Sequence, residues 1–189
     1  MKPSEMLEIL TVAERLKCNT RHCHTSTGRH ESVAEHSWRV SLMAMLLKPE
    51  FPEADMDKVI RMCLLHDLGE AFTGDIPSFL KTGEDESKED ALLADWVSSL
   101  PPQFSAEMSA LYREIEERET LESRIFKAID GMEAVMQHNA SDLATWLPLE
   151  YQLNLTYAED KVAFSPYLTQ LRRAIREETE QKLKEGGKL

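Results

Sequence analysis

Two histidines and two aspartates carry most of the chemistry that can be read from this chain. His36 lies three residues after Val33 and four before Val40, on a helical stripe completed by Ala44 and Leu47. His66 follows Val59 and Cys63 at helical spacing, and Asp67 stands beside it, about 100° around a helix. Glu70 comes one turn later. Asp130 intrudes at the edge of an apolar face made by Ile125, Phe126, Ile129, Met132 and Val135. Buried carboxylates are costly unless paired with a cation, a metal or good hydrogen bonds. The nearby basic residues are few: Arg61, Arg124 and Lys127. Two imidazoles and two carboxylates that converge would neutralise a divalent ion and leave room for water and substrate. That donor set suits a catalytic site, since closed structural zinc sites favour thiolates. Taken singly, the same residues also fit a hydrogen-bonded core histidine, a carboxylate paired with Lys or Arg, a helix-end charge and a turn residue. A metal-free polar network therefore stays open at this level.

The elements that must position these side chains read as helix after helix. The pattern predicts a first helix over about residues 4–17, then an irregular basic loop to Glu31. A second helix begins at Ser32, where Ser32-Val-Ala-Glu35 forms a capping box, and ends at Pro49 and Pro52. A third runs from about Met56 to Phe72 and stops before Gly74; the loop Thr73–Gly83 then carries Asp75, Pro77 and Lys81. A fourth covers about Asp85–Leu100, and others follow at about 103–118, 120–138, 142–159 and 165–185. No run of alternating β-branched residues and no Asn-Gly hairpin signal occurs, so the expected fold is all-α. One globular unit is expected over residues 1–189, with the metal-site core at about 30–140 and C-terminal helices at about 142–186.

Composition narrows the function classes. The formal net charge of −12 repels nucleic acid. No apolar stretch is long enough to span a bilayer, and Glu5 and Glu8 stand where a secretory signal would need an apolar core. Three cysteines, Cys18, Cys23 and Cys63, fit a reducing compartment better than a disulfide framework. A cytoplasmic protein is expected. Arg15, Lys17, Arg21 and Arg29 make a local basic stretch that could receive a small anion or simply form a solvated loop. The run from Cys18 to His24 holds two thiols and two imidazoles, but its spacing matches no closed zinc pattern.

The segment Glu31-Ser-Val-Ala-Glu-His36-Ser is followed about thirty residues on by Leu64-Leu-His66-Asp67-Leu-Gly-Glu70-Ala-Phe-Thr-Gly-Asp75-Ile-Pro77. Together they resemble the HD-domain superfamily of metal-dependent phosphohydrolases, and within it the 5′-deoxynucleotidase and 5′-nucleotidase group. Ile125-Phe-Lys-Ala-Ile-Asp130 resembles the segment that supplies the last aspartate. The resemblance implies metal ligands at His36, His66, Asp67 and Asp130, and catalytic carboxylates at Glu70 and Asp75. It implies substrate contacts at Arg21, His22 and Lys81. His22 stands where the 5′-deoxynucleotidase has Trp, which puts a preference for deoxyribose in question.

The implied activity is release of inorganic phosphate from a nucleoside 5′-monophosphate, 2′-deoxyribonucleotides included, by a water activated on one divalent ion: Mn, Co, Fe, Ni or Zn. The implied partners are a small phosphate ester and a second copy of the chain, with no nucleic acid and no membrane. Two alternatives remain at this stage. One is the same chemistry on a nucleoside polyphosphate or cyclic nucleotide. The other is a helical sensor that binds metal or nucleotide without turnover.

Overall fold

The computed structural model describes residues Met1–Leu189. Helix α1 (Pro3–Cys18) leads into a hairpin, β1 (Thr20–His24) and β2 (His30–Ser32), and then into α2 (Val33–Leu47). Next come α3 (Met56–Leu65), the short α4 (Glu70–Thr73), α5 (Gly83–Ser99), α6 (Pro102–Glu117) and α7 (Leu121–Ala140). The chain ends with α8 (Glu150–Thr156), α9 (Glu159–Val162) and α10 (Pro166–Glu185). No helix is long and apolar enough to cross a membrane.

The main core forms where α2, α3 and α7 meet. Val40, Ala44 and Leu47 pack with Val59, Met62 and Cys63 and with Phe126, Ile129, Met132 and Val135. These are the stripes the sequence marks, so the three helices that carry His36, His66 and Asp130 are clamped together by apolar burial. Ser32 sets the start of α2 by accepting from Glu35 N at 3.3 Å, while Glu35 Oε2 accepts from Ser32 N at 2.9 Å. Such a cap contributes about 1 kcal/mol. It also fixes the phase of α2, and hence where His36 points.

Three segments differ from the sequence-based expectations. The basic loop after α1 is an antiparallel hairpin, with Thr20 opposite Ser32, His24 opposite His30 and an irregularity between them. Its turn is closed by Thr25 N donating to Arg29 O and Gly28 N donating to Thr25 O, a geometry that needs no Asn-Gly pair.

The expected helix from Met56 to Phe72 is broken. It ends at Leu65 with His66 as C-cap, and the chain turns tightly before restarting at Glu70. Leu68, Glu70, Ala71 and Phe72 each donate to the carbonyl three residues back, so the turn is wound more tightly than an α-helix. Gly69 permits this turn to lie against α5: a Cβ there would sit 2.8 Å from Glu89 Cγ. Gly74, at φ +78°, then reverses the chain in a conformation that L side chains rarely adopt.

The third difference lies at 142–159. Pro148 cannot continue a helix, and the segment divides into a 3₁₀ turn (Leu143–Thr145), α8 and α9. Trp146 is buried there, whereas Leu147 and Leu149 are exposed. Buried Arg172 of α10 ties this region down by donating Nε to Tyr157 O at 2.7 Å and Nη2 to Asn154 O at 2.9 Å.

Candidate metal centre and substrate cleft

His36 lies in the first turns of α2, His66 at the C-terminal cap of α3, Asp67 in the tight turn and Asp130 in α7. Their donor atoms converge. His36 Nε2 is 3.2 Å from Asp130 Oδ1, 3.3 Å from His66 Nε2 and 3.7 Å from Asp67 Oδ2. His66 Nε2 is 3.0 Å from Asp67 Oδ2 and 3.7 Å from Asp130 Oδ1. The other ring nitrogens face the protein. His66 Nδ1 lies 2.8 Å from the Cys63 carbonyl and His36 Nδ1 lies 2.5 Å from Glu133 Oε2. Each of those partners fixes a tautomer with the proton on Nδ1 and the lone pair on Nε2. Two imidazole lone pairs and two carboxylates therefore point at one spot, and this donor set fits a divalent ion.

Asp130 is the one ligand candidate with a basic partner close by, because Lys127 Nζ holds its Oδ2 at 2.8 Å. Its other oxygen stays directed at the histidines. Arg61 pairs instead with Glu107, and Arg124 lies over the Phe164 ring. Burial works against the charge of Asp67 and Asp130. Even so, His66 and His36 hold Asp67 well below the usual carboxylate range, and Lys127 with the same histidines holds Asp130 below it.

His36, Asp67 and Asp130 floor a cleft of about 270 Å³. Arg21, His22, Glu70, Asp75 and Lys81 line it with His36, Asp67 and Asp130, and His66 reaches the same spot through Nε2. Glu70 is buried, and its Oε2 has no hydrogen-bond partner. Burial, then the nearby charges of Asp67, Asp75 and Glu89, push its carboxyl up to about 10. Glu70 does not continue the face of His66 as an unbroken helix would have it; the tight turn carries it in. Asp75 follows Gly74 in the loop after α4, where burial raises its carboxyl. Arg21 Nε is 3.9 Å from Asp75 Oδ1. Lys81 reaches the cleft wall but is held by Glu89 Oε2 at 2.8 Å.

Several participants escaped the sequence reading. Glu133 is fully buried and receives, besides His36, Arg21 Nη1 and Arg39 Nη1 at 3.5 Å each. Glu31, also buried, lies 3.5 Å from Arg21 Nη1 and 3.3 Å from Cys23 Sγ. Burial opposes the charge of Arg21, but the surrounding acidic groups hold it firmly protonated. On the far wall, buried Glu150 Oε1 stands 2.9 Å from His22 Nε2 and 3.4 Å from His138 Nε2. Glu133 was findable: it lies three residues after Asp130, between Met132 and Val135, as a charge on an apolar face. Glu150 gave no comparable signal, since it lies in the segment divided by Pro148. The thiols and imidazoles of 18–24 form no cluster, because Cys18 is exposed and Cys23 is buried against Glu31.

Residues 13–172 match the sequence pattern of the HD domain. The chain belongs to the HD-domain family. Among relatives of this HD protein, the human 5′-deoxynucleotidase HDDC2 is 27% identical over 136 residues, which is 70% of this chain and 66% of the human protein. The chain thus aligns with just under two thirds of that relative's length. Among solved structures, a protein from Magnetospirillum magnetotacticum described as a predicted metal-dependent phosphohydrolase superposes with a TM-score of 0.77. It is 28% identical, and 95% of each chain is covered. The cyanophage S-2L HD phosphohydrolase, solved with dA and one catalytic Zn²⁺, superposes at a TM-score of 0.57. At 21% identity, with 98% of each chain covered, that likeness is one of fold.

Proposed function

We propose that this HD protein is a metal-dependent phosphohydrolase that releases inorganic phosphate from nucleoside 5′-monophosphates. The observation that carries the reading is the convergence of His36, His66, Asp67 and Asp130 at the floor of a cleft that also holds Arg21 and the unpartnered Glu70 carboxyl. The kinship with the 5′-deoxynucleotidase supports the choice of substrate.

His36, His66, Asp67 and Asp130 would hold one divalent ion. Such an ion supplies positive charge beside the phosphate and makes a neighbouring water more acidic. Arg21 binds the phosphate oxygens. Its planar guanidinium suits bidentate contact, and the acids behind it keep it charged and aimed. Glu70 would accept the proton of the attacking water once the positive charge of a bound ion favours its carboxylate form over the protonated form that burial and the neighbouring acids favour. As the P–O bond to the sugar breaks, Asp75 returns a proton to the leaving oxygen, and Lys81 adds positive charge at the cleft wall. The sum is phosphomonoester plus water giving alcohol plus inorganic phosphate.

The same reading takes residues 1–189 as one HD domain, working in the cytoplasm as a homodimer without nucleic-acid or membrane partners. Exposed Trp38, Met45 and Leu46 on α2 supply an apolar surface for a second copy, and the net charge of −12 disfavours nucleic acid. Which of Mn, Co, Fe, Ni or Zn serves is set by availability as much as by these ligands.

A substrate panel tests the activity. Ribo- and deoxyribonucleoside mono-, di- and triphosphates and cyclic nucleotides are each incubated with Mn²⁺, Co²⁺, Mg²⁺ or Zn²⁺. Phosphate release from the monophosphates is expected. Turnover confined to polyphosphates or cyclic nucleotides would move the substrate, and none at all would favour a binding protein.

A further inference from the structure

Arg21 stands on β1, one strand of a two-stranded ribbon. Such a ribbon leaves one edge of each strand without a strand partner and is marginally stable on its own. The edge of β1 must be held against the helices if Arg21 is to keep its aim. Two polar contacts run from β1 to α7. Arg21 Nη1 reaches Glu133 Oε2 at 3.5 Å. Three residues on, the His24 carbonyl accepts from Gln137 Nε2 at 2.6 Å. Glu133 and Gln137 are four residues apart on α7, so they leave the same face of that helix.

Gln137 is buried, at 5% exposed, and both ends of its amide are used. Oε1 accepts from Arg39 Nη1 at 2.7 Å, while Nε2 donates to His24 O. A guanidinium only donates and a carbonyl only accepts, so these neighbours fix which way the amide faces. Glutamate in its place could not donate to the carbonyl, and methionine could make neither bond. Arg39 lies three residues after His36 on α2, and its Nη1 is also 3.5 Å from Glu133 Oε1. Two polar rungs therefore cross between α2, α7 and β1. In the first, Glu133 meets His36 and Arg21 and fixes the His36 ring. In the second, Gln137 meets Arg39 and fixes the backbone of β1. An apolar side chain would serve packing alone, and burying an amide costs free energy unless its bonds are made. The bonds that Gln137 makes give the reason for an amide here.

We propose that Gln137 is a positioning residue for phosphate binding: by tying the His24 carbonyl to α7 and Arg39, it holds β1 so that Arg21 aims into the cleft. The assignment rests on the reading of Arg21 as the phosphate contact. Arg21 lines the cleft and Gln137 does not, so Gln137 acts through the strand. The metal ligands are spared, because His36 is held separately by Glu133.

Gln137→Met keeps the length of the side chain and removes both bonds. Calorimetric titration of Mn²⁺-loaded protein with inorganic phosphate is expected to show binding about tenfold weaker in this variant than in the wild type. Titration of chelator-treated protein with Mn²⁺ is expected to give the wild-type affinity. With a nucleoside monophosphate as substrate, KM rises by a similar factor while kcat changes little. A double-mutant cycle separates aiming from general loosening: in an Arg21→Ala background no guanidinium is left to aim, and the change at Gln137 has no further effect on phosphate binding. Thermal melts check that the variants fold. Arg39→Met, at a partly exposed side chain, frees the other end of the amide, is expected to weaken phosphate binding too, and carries the test if Gln137→Met does not fold. Unchanged phosphate affinity in whichever variant folds overturns the proposal. So does an equal loss of Mn²⁺ affinity in Gln137→Met, an undiminished effect in the Arg21→Ala background, or a wild-type protein that binds no phosphate. Phosphate binding that falls in the variants of a protein that hydrolyses no monophosphate leaves the positioning role standing and removes the hydrolase reading instead.

Discussion

Glu133 Oε2 lies 2.5 Å from His36 Nδ1, and this contact decides which nitrogen of His36 faces the ligand cluster. Both groups are fully buried. The carboxylate stabilises the Nδ1–H tautomer and makes Nε2 a better donor to a cation. Glu133→Gln keeps the shape and removes the charge. Its metal affinity, measured by titration of chelator-treated protein, is expected to fall 10- to 100-fold. An unchanged affinity would show that His36 needs no such partner.

Glu70 sets function against stability. In protein freed of metal, its carboxyl titrates at about 10 instead of near 4.5. Between those values the native state keeps a proton that the unfolded chain has lost, so raising the pH costs stability. Glu70→Gln stays neutral and escapes that cost. Melts at pH 8 in chelator should show the variant more stable than the wild type, by on the order of 1–3 kcal/mol. Its phosphate release should fall by a factor on the order of 100 or more. A variant that is both active and no more stable contradicts the role given to Glu70.

His138 gives the opposite slope. Burial holds its imidazole down to about 4 from 6.5, even with Glu150 nearby. The unfolded chain binds a proton at about pH 6.5 that the native state refuses until about 4, so this contribution to stability is lost as pH falls through that window. Wild-type melts at pH 7 and pH 5 should differ, with His138 accounting for about 1–2 kcal/mol. His138→Gln should reduce the difference, whatever it does to the absolute melting point. An unaltered pH slope would argue that His138 is protonated in the fold.

The three thiols should separate by reactivity. Cys23 and Cys63 are buried, and burial pushes both thiols up, away from the reactive thiolate. Cys18 is exposed. Brief alkylation of native protein followed by mass spectrometry should modify Cys18 alone. Rapid labelling of Cys23 would mean that the hairpin opens readily.

How much of this was legible in the sequence depends on the reach of the signal. Ser32 and Glu35 fix the start of α2 within four residues, and the stripes on α2, α3 and α7 name the faces that pack. His36, His66, Asp67 and Asp130 were therefore readable as polar intrusions on those faces. The break after Leu65 was not, because the run to Phe72 keeps a helical pattern while the turn there packs closely on Glu89 of α5, a contact distant in sequence. The hairpin was hidden for a similar reason: its strands are short, and its side chains serve the cleft instead of alternating between core and solvent. Glu150 meets His22, and Asn154 joins the same cleft, across more than a hundred residues, a distance over which periodicity carries no information.

Phosphate release from a nucleoside 5′-monophosphate by chelator-treated protein, with Mn²⁺ added back in steps, tests the central claim most directly when run beside Asp67→Ala. The account predicts no release without metal, recovery that saturates near one ion per chain, and loss of release in the variant. Release that persists in chelator, or that survives Asp67→Ala with metal present, would contradict it.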